Sequence, residues 1–158
     1  RNSSAASDVY KRQILPDPFF IDYFDQKIAL SHGDDFCTDD LKYIEFKKEV
    51  RSSSWQQDFL SKPLKERQKI ASNMRDASQN NKDKKDLSIM DVAANTIHEF
   101  FIQNNISLLI HGHTHRPNTH QISEPNVDGV RIVLGDWHDT GWCLTLEDEE
   151  RVLEEFKL

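Results

Sequence analysis

Cysteine is nearly absent from this 158-residue chain, and the two that occur, Cys37 and Cys143, stand far apart with no C-x-x-C pair. Neither a disulfide framework nor a zinc ribbon is suggested, and a reducing compartment is the default. Long apolar runs are missing too. No stretch approaches the roughly 18 residues of a membrane span, so any membrane contact is expected to be peripheral. Apolar residues make up 37% of the chain and charged residues 30%, against a usual apolar fraction of about 45–50%. A soluble domain of ordinary size with a modest core is the expectation.

Residues 1–13 lack an apolar period and the apolar h-region that a secretory signal requires. The run from Ser3 to Gln13 is similar to the translation of a transposase adapter used in shotgun sequencing. Residues 1–13 are therefore read as non-native, and 14–158 as a natural protein missing its beginning. Native coding DNA running upstream of Ile14 would contradict that reading.

Charge is unevenly spread. Lys42 to Lys85 holds 12 Lys/Arg against 6 Asp/Glu, whereas Asp86 to Leu158 holds 4 against 13, within a net charge of -7. Nucleic acid, an anionic membrane surface or a phosphorylated substrate could each meet such a basic island. On charge alone a solvated helical face explains it best.

What is present is a set of short elements ending in chemistry. Phe19–Tyr23 and Lys27–Ser31 are β-prone runs separated by Phe24, Asp25 and Gln26, the pattern of a hairpin, and the second empties into His32-Gly33-Asp34. Thr38 is expected to cap a helix that begins with Asp39, Asp40 and Leu41 and runs to about Arg51. The serines 52–54 break it before Trp55, Phe59 and Leu60, and Pro63 restarts a basic helix through Ile70, Met74 and Arg75. The polar stretch from Asp76 to Asp86 reads as a loop. Ser88 and Asp91 resemble a capping box opening a helix that Asn104 and Asn105 stop. After it, Ile106 to Ile110 reads as a buried strand. Residues 119–122, 130–134, 142–146 and 152–156 read as a run of antiparallel strands closing an α/β sandwich.

The buried strand ends in His111-Gly112-His113-Thr114-His115-Arg116-Pro117. Strand ends are where open α/β folds put their sites. Neutral imidazole is a common ligand of transition metals. Gly112 is expected to let the backbone turn so that His113 and His115 converge on one point. A loop that happens to be rich in histidine is the bland alternative, and clustering weighs against it. Asp136 and His138 read as turn residues slightly more readily than as supports of the site.

With His32-Gly33-Asp34 and Gly112-His113-Thr114-His115 both in place, the chain resembles the C-terminal half of a calcineurin-like metallophosphoesterase. Residues 32–40, Met74 to Ser78, Ile89 to Val92 and 111–117 resemble, within that superfamily, the UDP-2,3-diacylglucosamine diphosphatases of lipid A biosynthesis. The resemblance implies the C-terminal part of a metallophosphoesterase β-sandwich flanked by helices, with an inserted helical cap at about 41–85. It implies a two-metal centre using Mn2+, in which His32 and His113 hold one ion and His115 the other. It gives His113 a catalytic role and makes Asp40, Tyr43, Arg75, Ser78, Lys82, Lys85 and His113 contacts to the substrate, Lys82 standing where the family often has Asn. His111 is not implied as a ligand.

The reaction implied is attack of an activated water on UDP-2,3-diacylglucosamine, releasing UMP and 2,3-diacylglucosamine 1-phosphate, lipid X. It would take place in the cytoplasm, on the inner-membrane surface, with no nucleic-acid partner. Trp55, Phe59, Leu60 and Leu64 are candidates for the apolar side of the cap. The family's D-x-H, bridging G-D and G-N-R-D motifs do not occur before His32, so the chain by itself is expected to bind metal poorly and to be inactive. Two other readings remain open: another calcineurin-like phosphodiesterase, and a non-catalytic metal-binding interaction module.

Overall fold

A computed structural model describes residues 13–82, 91–147 and 150–158, with backbone alone for 78–82. The fold is mixed α/β, and its contacts divide it into two units, Arg1–His32 with Phe101–Leu158, and Gly33–Phe100.

The first unit is built on a five-stranded sheet of β1 (Phe19–Tyr23), β2 (Gln26–Ser31), β3 (Leu108–His111), β4 (Asn118–Glu124) and β5 (Val127–Val133), in the order β1-β2-β3-β5-β4. β1 and β2 form the expected hairpin, with Tyr23 paired to Gln26. Its two-residue loop is Phe24 and Asp25, whose φ values of 45° and 57° suit the primed turn that matches strand twist. β2, β3 and β5 are mutually parallel. β3 is buried at all four positions, as a central parallel strand covered on both faces must be.

The expected run of antiparallel strands is only partly present. β5 is antiparallel to β4 but parallel to β3, while β6 (Thr140–Glu147) and β7 (Glu150–Lys157) form a separate two-stranded sheet. Hairpin signals identify neighbours in sequence, whereas β5 also pairs with β3, from which β4 separates it in the chain. The core of this unit is Ile28, Leu108, Ile110, Val130 and Ile132, against which Leu144, Leu146 and Leu153 of β6 and β7 pack. Each such side chain contributes about 1.5–3 kcal/mol when fully buried.

In the second unit, Gly33 sits at φ 102°, a conformation L side chains rarely adopt, and opens a 3-10 turn at Asp34–Phe36. Three helices follow: α1 (Leu41–Val50), α2 (Ser53–Ser61) and α3 (Leu64–Lys82). Asp40, not Thr38, caps α1, its Oδ1 accepting the Tyr43 N–H at 3.0 Å, while the Thr38 hydroxyl pairs with Thr96 at 2.8 Å. Ser52 caps α2. Residues 76–82, expected as loop, continue α3. That stretch is polar but contains neither Gly nor Pro, so its composition marked exposure rather than a break in the backbone. Helix α4 (Ala94–Asn104) begins later than the capping-box reading placed it. Asp91 Oδ1 instead accepts the N–H of Val92, and Ser88 lies outside the described residues. Asn105, at φ 49°, ends the helix in the left-handed conformation.

Candidate metal centre

The parallel register sets Ser31 beside His111 at the carboxyl ends of β2 and β3. One residue further, the Gly112 N–H donates to the His32 carbonyl at 3.1 Å. His32 and His113 therefore leave neighbouring strands side by side. His113 Nδ1 and His32 Nε2 face each other at 3.2 Å, with ring centroids 5.0 Å apart. Two nitrogens bound to one ion at roughly 2.0–2.1 Å, with an angle near 100°, stand about 3.2 Å apart, so the pair suits a shared divalent cation.

His115 does not join them. Its Nδ1 lies 3.3 Å from Asp136 Oδ2, and His138 Nε2 reaches the same oxygen at 3.4 Å. The expectation that Gly112 turns the chain so that His113 and His115 converge is thus corrected. The left-handed residues are the two histidines themselves, at φ 66° and 53°, and a Cβ at position 112 would meet only an ordinary contact at 3.7 Å. Left-handed backbone at a non-glycine residue is costly and concentrates at functional sites. Among the described residues no group of three His, Cys, Asp or Glu is arranged to hold a metal. The donor set they offer is one imidazole pair and a separate imidazole on a carboxylate.

His111 is spent inside the sheet. It is 1% exposed, with Nδ1 3.0 Å from the Gly112 carbonyl and Nε2 3.1 Å from an Arg131 nitrogen. A guanidinium only donates, so Nε2 accepts and Nδ1 carries the proton.

Sequence reasoning passed over Asp17. Its carboxylate accepts the Ser31 hydroxyl at 2.7 Å and the His32 N–H at 3.1 Å, pinning the end of β2 from which His32 projects. A lone Asp before Pro18 carries no sequence signal for that role. Asp17 and His32 also border a cavity of about 380 Å³ whose other walls include Phe19, Leu30, Ile110 and Leu134.

The residues expected to meet substrate fall in the second unit, where Asp40 and Tyr43 come together. Asp40 is buried and caps the helix that carries Tyr43. The Tyr43 hydroxyl donates to Asp34 Oδ2 at 3.3 Å. Burial first, then the charge of Asp34 and this hydrogen bond, push the phenol up to about 12. Arg75 is exposed on α3. Ser78 and Lys82 lie on α3 with only their backbone described, and Lys85 is outside the described residues.

On α2, Trp55 and Phe59 stack at 4.9 Å with an interplanar angle of 11°. Leu60 and Leu64 are 63% and 62% exposed, an apolar edge within this helical unit. Among the described residues no helix is long and apolar enough to cross a membrane.

No protein-family profile matches the chain. It is 43% identical over 124 residues to a UDP-2,3-diacylglucosamine hydrolase of Cellvibrio japonicus, a match covering 78% of this chain and 52% of that protein. It is 41% identical over 128 residues to the protein of that name from Yersinia pseudotuberculosis, covering 81% and 53%. The chain is a homologue of these proteins over that stretch and spans about half the length of the curated relatives it matches. Among solved structures, the Vps29 of Entamoeba histolytica complexed with zinc aligns at a TM-score of 0.38 and 14% identity, covering 92% of this chain and 63% of that one.

Proposed function

We propose that this chain is the C-terminal half of a metal-dependent hydrolase that cleaves the pyrophosphate of UDP-2,3-diacylglucosamine in lipid A biosynthesis. The observation that carries the reading is the His32–His113 pair at 3.2 Å, found in a chain 43% identical to a protein of that name. In the reaction, water attacks the α-phosphorus of the UDP group and the bond from that phosphorus to the bridging oxygen breaks. UMP leaves, and the β-phosphate stays on the sugar as lipid X. His32 and His113 would hold one divalent cation and His115 a second, with Mn2+ the expected metal. Such ions supply Lewis acidity at the phosphoryl oxygens and a water nucleophile near neutral pH.

The chain's own residues do the rest. The rigid β2 and β3 ends hold His32 and His113 in register, and the Asp17 clamp keeps the His32 backbone from drifting. The His113 imidazole would also stabilise charge developing on the phosphoryl oxygens. Asp40, Tyr43, Arg75, Ser78, Lys82 and Lys85 would contact the nucleotide-linked glucosamine phosphate. The apolar residues Trp55, Phe59, Leu60 and Leu64 would receive acyl chains from the cytoplasmic face of the inner membrane. The described residues supply one imidazole pair and a separate imidazole, and no triad of ligands. The 158-residue chain alone is therefore expected to bind Mn2+ weakly and to turn over little substrate.

The test is a chimera in which residues 14–158 replace the matching stretch of the Cellvibrio japonicus relative. Mn2+-dependent UMP release from UDP-2,3-diacylglucosamine, lost in His113→Ala, is expected. A folded chimera that hydrolyses a generic phosphodiester but leaves this substrate intact would contradict the assignment and favour another calcineurin-like phosphodiesterase.

A further inference from the structure

We infer that His111 is a positioning residue for His113: oriented by Arg131, it holds the Gly112 carbonyl and so fixes the peptide plane from which the His113 ring turns toward His32. The inference deepens the hydrolase reading by naming what aligns its imidazole pair, and it rests on that reading only for the effect on turnover. Arg131 pairs in register with Leu109, and residues two apart along a strand share a face. Arg131 and His111 are therefore diagonal neighbours on one face of the β3–β5 pair, and Arg131 Nη1 meets His111 Nε2 at 3.1 Å. Because a guanidinium only donates, that contact leaves the ring's proton on Nδ1, which donates to the Gly112 carbonyl oxygen at 3.0 Å.

The same carbonyl accepts a second bond, from the Thr114 N–H at 2.8 Å, while the Gly112 N–H donates to the His32 carbonyl at 3.1 Å. The His111 carbonyl is anchored to the end of β5 by the Leu134 N–H at 2.7 Å. Both peptide planes flanking Gly112 are thus held. His113 follows at φ 66°, a conformation that persists at a non-glycine residue only where its surroundings over-determine it. From there its Nδ1 reaches His32 Nε2 at 3.2 Å. His111 is 1% exposed, so bulk water scarcely competes for its ring nitrogens. A histidine that merely filled the core would matter for its volume, whereas this one matters for a donor at one ring position.

The two ring positions can be tested separately. The side-chain amide nitrogen of Asn takes the place of Nδ1 and that of Gln the place of Nε2, so His111→Asn keeps a donor to Gly112 and His111→Gln removes it. The experiment uses the full 158-residue chain with 15N-labelled histidine, without metal or substrate, at a pH above the ordinary histidine pKa of about 6.5. Long-range proton–nitrogen correlations should show His111 as the Nδ1–H tautomer in the unaltered chain, and ring-to-ring NOEs should connect His32 with His113. His111→Asn should keep those NOEs and His111→Gln should lose them, with the cross-strand amide contacts of β3 and β5 intact in both. In the chimera with the Cellvibrio japonicus relative, His111→Gln should lower kcat for UMP release about 100-fold with KM near its original value, and His111→Asn should retain most of kcat.

An Nε2–H tautomer in the unaltered chain overturns the inference without any variant, so a substitution that prevents folding does not protect it. Equal behaviour of the Asn and Gln variants, in the NOEs or in kcat, also overturns it, since His111 would then act by volume alone. If the unaltered chimera releases no UMP, the hydrolase reading fails, and the tautomer and the NOEs still decide what His111 does to His113.

Discussion

Replacing Asp34 by Ala should destabilise the Gly33–Phe100 unit by about 3 kcal/mol, whereas Arg51→Ala should cost about 1 kcal/mol or less. The Asp34 side chain is 0% exposed and meets Lys47 Nζ at 2.7 Å, Arg51 at 2.9 Å and the Tyr43 hydroxyl at 3.3 Å. Its partners are not equivalent. The Lys47 side chain is 13% exposed and that of Arg51 54%, so solvent screens the arginine and hardly screens the lysine. Burial alone would lower the Lys47 pKa, and its bonds to Asp34 and Asp35 override that and raise it.

Without Asp34, a nearly buried ammonium keeps only Asp35, whose carboxylate is 62% exposed. Cutting one partner from a buried pair costs about 3–5 kcal/mol, and the surviving contact to Asp35 places this case at the low end. Amide exchange across α1, followed through a urea series, measures the change unit by unit. The Tyr43 phenol provides a second readout. Asp34 helps hold it at about 12, so its ring signals should titrate lower in the variant. An Asp34→Ala cost below about 1 kcal/mol, or an Arg51→Ala cost as large, would refute the division of charge and burial argued above.

Other outcomes follow from the packing. Cys37 is buried and its thiol is raised to about 11, by burial first and then by the charges of Asp91, Asp34 and Asp40. Cys143 is exposed. Alkylation in the folded state near pH 8 should therefore mark Cys143 and spare Cys37 by mass spectrometry, and equal labelling would contradict the burial. Because the folded thiol pKa is raised from 9.0, Cys37 stabilises the fold below about pH 9, and that contribution is lost as pH rises through about 11. Gly129→Ala would set a Cβ 2.5 Å from Phe101 Cε1 and 2.9 Å from the Ser107 carbonyl. A loss of about 1–3 kcal/mol in urea unfolding is expected, and an unchanged midpoint would show that Phe101 moves freely.

The hairpin of β1 and β2 was legible from alternation and turn residues, and β3 from its apolar run. The pairing of His32 with His113 followed once the two strand ends were recognised as one pattern. The cap at Asp40 was misplaced at Thr38, because two capping residues stood close together and only the backbone decides which side chain reaches the first free N–H. The direction of β5 was lost because strand-forming runs carry no mark of parallel or antiparallel pairing. The separation of His115 from His113 could not be read, since it depends on two left-handed residues that spacing does not announce. Asp136, weighed as a turn residue, meets His115 through a parallel register that brings residues 21 apart in sequence together.

The central claim is that His32 and His113 form a ligand pair for a divalent cation. Paramagnetic broadening tests it most directly, because substoichiometric Mn2+ reveals even a weak site. In the 158-residue chain the imidazole signals of His32 and His113 should broaden first, ahead of His98 and His120, and His32→Ala should abolish the selective loss at His113. Broadening that is uniform across the histidines, or that begins at His98 or His120, would contradict the account.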